Sequence, residues 1–158
     1  MHKDVQDTQA QSRPAHEAAA GYVAAEPAID GESFSRVGFT TEAIEMISSL
    51  GRRHGPLMFH QSGGCCDGSS PMCYPAGDFL TGDADVLLGT ADIPDAGLVE
   101  FWMSREQFNY WRHTRLTVDI VPGRGSGFSL EAPEGKRFLI RSQLMNEDGT
   151  DAESLATT

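Results

Sequence analysis

Leu98-Val99-Glu100-Phe101-Trp102-Met103-Ser104-Arg105-Glu106-Gln107-Phe108-Asn109-Tyr110-Trp111-Arg112-His113-Thr114-Arg115-Leu116-Thr117-Val118-Asp119-Ile120 decides the fold class, because it passes from strand to helix to strand without a long connection. Residues 98–103 are rich in large apolar side chains and read as a strand. Ser104 with Gln107 three residues on makes a capping box, so a helix starts there and places Phe108 and Trp111 on one face. Leu116, Val118 and Ile120 then alternate with Thr117 and Asp119, the period of a half-buried strand.

Toward the N-terminus, Pro94, Asp95 and Gly97 supply turn chemistry before residues 98–103, and residues 86–88 read as a further strand. Thr40 or Thr41 can cap a first helix, with Glu42 well placed against the helix dipole and Ile44, Ile47 and Leu50 facing a core. Gly51, or the Gly55-Pro56 pair, ends that helix, and Leu57-Met58-Phe59-His60 follows as a buried strand. Toward the C-terminus, residues 128–130 and 138–144 are expected to form a hairpin closed through Pro133-Glu134-Gly135. Residues 123–127, Gly-Arg-Gly-Ser-Gly, could cradle an anion but lie between strands, where a tight turn is the simpler reading. Two helices and about six short strands predict an α+β fold: a mostly antiparallel sheet or half-open barrel with both helices packed on it. The strand edges of such a domain must be covered, which points to a homo-oligomer.

The chain has 158 residues, enough for one domain with a real core. Ten of its 23 acidic residues, but only two of its 12 Lys and Arg, lie in residues 1–33 and 146–158. These ends are poor in large apolar side chains, so both are expected to be disordered acidic tails around a single folded domain at residues 34–145. The net charge of -11 gives no cationic footprint for nucleic acid. No apolar run approaches the roughly 18–20 residues that cross a bilayer. The polar N-terminus lacks the apolar stretch of a secretory signal, which makes the cytoplasm the default compartment.

The chemically pointed segment is His60-Gln61-Ser62-Gly63-Gly64-Cys65-Cys66-Asp67-Gly68-Ser69-Ser70-Pro71-Met72-Cys73-Tyr74, whose glycines and prolines read as loop. It holds all 3 cysteines. Thiolate, imidazole and thioether are ligands that suit zinc, copper or iron, and Cys65, Cys66, Cys73 and His60 form the candidate metal set, with His113 or Met72 as further candidates. The spacing matches no paired Cys-x-x-Cys signature, and adjacent Cys65 and Cys66 in an extended chain would point to opposite sides. Two other readings stand beside the metal. One cysteine could be a nucleophile with His60 or His113 as its base, or the cysteines could be small buried hydrophobes in a structural module.

The runs His54-Gly55-Pro56, Gly63-Gly64-Cys65-Cys66-Asp67-Gly68 and Pro71-Met72-Cys73-Tyr74-Pro75 resemble the small bacterial family called domain of unknown function 779. The resemblance continues in Phe108-Asn109-Tyr110-Trp111-Arg112-His113-Thr114, in Gly123-Arg124-Gly125-Ser126-Gly127-Phe128-Ser129-Leu130-Glu131 and in Arg137-Phe138-Leu139. It covers residues 41–145, and the long N-terminal segment looks like an addition to the family's usual start. Members are often encoded beside NAD-dependent aldehyde dehydrogenases. The resemblance therefore implies a small accessory protein of aldehyde or alcohol metabolism that partners an aldehyde dehydrogenase and uses the cysteine loop for metal or thiol chemistry.

Overall fold

The computed structural model describes residues 22–62, 71–123 and 128–150. Within them the chain runs β1 (Val23–Ala24), β2 (Glu26–Pro27), β3 (Val37–Phe39), α1 (Thr41–His54), β4 (Leu57–Gln61), β5 (Met72–Pro75), β6 (Asp85–Ile93), β7 (Gly97–Ser104), α2 (Arg105–Trp111), β8 (Thr114–Pro122) and β9 (Lys136–Leu144). The strands form two sheets, ordered β1-β3-β8-β9 and β2-β6-β7-β4-β5. The α+β class holds, but the sheets are mixed, since β3 pairs parallel with β8 and β4 parallel with β7. Among the described residues neither sheet closes into a barrel.

Both helices start where side-chain caps allow. The Thr40 hydroxyl accepts the Ala43 N–H at 3.1 Å, and the Ser104 hydroxyl accepts the Gln107 N–H at 3.2 Å, each satisfying an otherwise orphaned donor. α1 buries Ala43, Ile47 and Leu50 and packs against β4, β6 and β8, so it spans both sheets. It does not end at Gly51. That residue is buried inside the helix because an added Cβ would lie 2.6 Å from the Asp95 carbonyl oxygen of the β6–β7 turn. Between the sheets, Phe59 of one packs 6.0 Å from Phe39 and 4.9 Å edge-on from Phe138 of the other. Each ring is fully buried, worth roughly 2–3 kcal/mol of transfer free energy.

Three expectations are corrected here. First, residues 22–33 are not a tail: β1 pairs with β3, β2 pairs with β6, and Ala25 between them is buried. The pairing is made by backbone groups, which do not depend on large apolar side chains, and Gly89 makes room for it, since its missing Cβ would fall 2.8 Å from the Glu26 carbonyl. Residues 146–150 likewise form a hydrogen-bonded turn in which Gly149 lies against the Phe34 ring. Expectations for residues 1–21 and 151–158 lie outside the described residues. Second, Met72–Pro75 is a strand and not loop, paired antiparallel with β4. Third, residues 128–130 form no hairpin with 138–144. β9 instead pairs along its whole length with β8, and residues 128–135 form a connection that includes a short 3₁₀ turn at Ala132–Glu134.

Candidate functional site

The β4–β5 hairpin places the residues of the cysteine loop by register. Phe59 lies opposite Cys73 and His60 opposite Met72, and directly opposed residues share a face of the sheet. Phe59 belongs to the core, so Cys73 faces the core with it. His60 and Met72 project from the other face. The hairpin therefore unites His60 with Met72 and parts both from Cys73. Cys65 and Cys66 lie outside the described residues, in the connection between these two strands. Among the described residues no group of three or more His, Cys, Asp or Glu gathers as a metal cluster.

His60 is 4% exposed although it sits on the outer face, because Phe79 folds over it with ring centroids 4.1 Å apart. Its Nε2 lies 2.7 Å from Asp85 Oδ1 on β6, and its Nδ1 lies 3.0 Å from the Ser62 hydroxyl at the end of β4. An ionised carboxylate only accepts, so the proton between them sits on Nε2, and in the neutral ring Nδ1 is then the acceptor. Asp85 also accepts the Gly82 N–H at 3.0 Å. Burial acts to raise the Asp85 pKa, but the hydrogen bonds from His60 and Gly82 and the charge of His60 outweigh it and hold the carboxyl below its usual value. The outcome is an imidazole fixed in one orientation by a carboxylate, with its second nitrogen turned toward the first residue of the cysteine connection.

Cys73 has a different environment. Its side chain is fully buried, and burial, with the Glu131 charge adding to it, pushes the thiol pKa well above its ordinary value. The Cys73 N–H donates to the Ser129 hydroxyl at 2.8 Å, the Cys73 carbonyl accepts the Leu130 N–H at 3.0 Å, and Ser129 donates to Glu131 Oε1. Glu131 Oε2 accepts the Phe138 N–H of β9 at 3.2 Å. Glu131 is 1% exposed, and burial raises its pKa despite the bonds from Ser129 and Phe138. This thiol is held as a neutral, enclosed group, which suits neither ligation nor nucleophilic attack.

The remaining candidates are scattered. Met72 is half-buried and its Sδ accepts the Tyr74 hydroxyl at 3.4 Å. His113, exposed just past α2, lines a separate cleft of about 360 Å³ with Glu32, Arg36, Arg112 and Met145. Sequence reasoning missed Asp85, Ser62, Ser129 and Glu131. Only Ser129 and Glu131 carried a signal, through the run that supports the family resemblance. A family model described as Domain of unknown function (DUF779) matches residues 46–144. No curated protein and no solved structure matches the chain.

Proposed function

The chain belongs to the DUF779 family, and from that premise we propose that it is an accessory protein of aldehyde metabolism that binds a soft transition metal beside the β4–β5 hairpin. The observation that supports this reading is the Asp85–His60 pair. Metal-ligating histidines commonly give their second ring N–H to a carboxylate, which fixes the tautomer and raises ligand basicity. His60 already has that arrangement, with Nδ1 facing Ser62, the residue from which the Gly63-Gly64-Cys65-Cys66 connection departs. Met72 offers a thioether on the same face. Imidazole, thioether and the thiolates of Cys65 and Cys66 fit copper or zinc, and iron less well. Cys73 has no place in this ligand set, because its thiol occupies the core face. The link to an aldehyde dehydrogenase rests on the family resemblance alone.

Chain purified without chelator and analysed for metal is expected to carry it stoichiometrically. His60→Ala abolishes the loading, Asp85→Asn weakens affinity by about 10–100-fold, and Cys73→Ser leaves it unchanged. Absence of copper, zinc and iron from the native protein, with none taken up on titration, would sink the metal reading. For the partner, a tagged pull-down from the source cell should recover an aldehyde dehydrogenase, and its failure to do so argues against the accessory role. The same oriented imidazole favours one alternative, in which Nδ1 serves as base to the thiol of Cys65 or Cys66. That reading requires metal-free protein and fast labelling of one of those two cysteines near neutral pH.

A further inference from the structure

β9 is an outermost strand of the four-stranded sheet and runs for 9 residues, whereas the outermost strands β1 and β2 have 2 each and β5 has 4. The outer edge of β5 is sealed, because Cys73 exchanges hydrogen bonds with Ser129 and Leu130. The same segment seals only the start of β9, where Glu131 accepts the Phe138 N–H. Backbone groups of alternate residues point to opposite edges of a strand. Met145 donates to His113 across the ladder and so points inward, while Phe138 points outward to Glu131. By the same alternation Ile140, Ser142 and Leu144 present their N–H and C=O groups to the open edge, and among the described residues none of these N–H groups has a backbone acceptor. An edge of this length left bare is a template for another strand.

We propose that this edge pairs antiparallel with β9 of a second copy, across a two-fold axis at Ser142. In that register Ser142 meets its own copy, Ile140 meets the second copy's Leu144, and Arg141 meets the second copy's Gln143. The cross-strand set is self-complementary. It joins Ile140 to Leu144, which is 44% exposed in the single chain, and it opposes no like charges. Arg141 is further neutralised by Asp119 at 3.0 Å on its own chain. The Glu131 seal at Phe138 blocks the pairing from sliding toward the start of β9, so the register is limited to residues 140–144. Three outward residues on each strand form about six hydrogen bonds between the copies.

The test uses the full chain in analytical ultracentrifugation at tens of micromolar. The expected result is a dimer whose dissociation constant rises about tenfold or more in Ser142→Lys, which sets two like charges face to face, and in Ser142→Pro, which removes an outward N–H without touching the β8 ladder. Both variants should keep the wild-type circular dichroism spectrum. Ser142→Cys should form a disulfide-linked dimer under mild oxidation that the wild type does not, since Cα atoms of a hydrogen-bonded antiparallel pair lie about 5.5 Å apart, within disulfide reach. A wild type that sediments as a monomer overturns the proposal. So does a dimer that survives Ser142→Lys and fails to cross-link through Ser142→Cys, the result expected if another surface or another register forms it.

Discussion

At the scale of single residues, partners decide what a side chain can do. His60 was legible in the sequence because a histidine beside two cysteines is chemically conspicuous. Asp85 was not, since it lies on another strand and reaches His60 only through the β4–β7–β6 order of the sheet. Cys73 was legible as a cysteine but not as a buried one, because its face depends on its register with Phe59. Cys73→Ser is expected to destabilise the domain by about 1–3 kcal/mol, the cost of placing a hydroxyl in an apolar site, as read by denaturant unfolding. Glu131 predicts a pH dependence. Its folded pKa is raised above the usual value of about 4.5, so its contribution to stability is fully present below that pH and is lost as pH rises through the folded pKa. The unfolding midpoint of wild type minus that of Glu131→Gln should therefore shrink between about pH 4.5 and neutrality. A difference that stays flat over this range would show that Glu131 is not the titrating group.

At the scale of elements, local chemistry was readable wherever it is complete within a few residues. Thr40 and Ser104 cap the two helices as their spacing implies, and the alternation of Leu116, Val118 and Ile120 marks β8. Elements whose cause lies elsewhere in the chain were hidden. β5 sits among Gly, Ser and Pro and is a strand because β4 offers it an edge and Ser129 and Leu130 hold its other side. Gly51 shows the same dependence. A glycine-to-alanine change inside a helix normally stabilises it by up to about 1 kcal/mol. Here the new methyl group would meet the Asp95 backbone and Ala96, which are not the ends of flexible side chains. Gly51→Ala is expected to reverse the usual sign and lower stability by roughly 1–3 kcal/mol, the range of an overpacked core. A thermal midpoint equal to or above wild type would refute that close approach.

At the scale of the molecule, the charge and apolar content of the ends gave the wrong inner boundary for the N-terminal segment. The error has a physical source: short edge strands are held by backbone hydrogen bonds and small buried side chains such as Ala25, neither of which raises the apolar content of a segment. The segment also supplies Glu32, whose carboxylate binds buried Arg36 at 2.7 Å. Deleting residues 1–33 should therefore lower the thermal midpoint by at least about 5 °C, equivalent to 1 kcal/mol or more in a domain of this size. An unchanged midpoint would show that β1 and β2 add nothing to the fold. The α+β class was legible because both helix signals and the strand alternation are local, while the parallel pairings of β3 with β8 and β4 with β7 left no trace in the sequence.

The pairing of Glu26 with Thr90, and of Val37 with Leu116, bears on the order in which the protein comes into being. A ribosome releases β2 and β3 long before the strands that must receive them. β2 has no neighbour until β6 has emerged, and β3 lacks its parallel neighbour until β8 has. Nascent chain shorter than this can pair β1 with β3 but cannot acquire the β2–β6 and β3–β8 hydrogen bonds, whatever its local helix content. Pairings so distant in sequence place refolding in the millisecond-to-second range expected of high contact order, with α1 able to form early and the N-terminal strands among the last parts to lock.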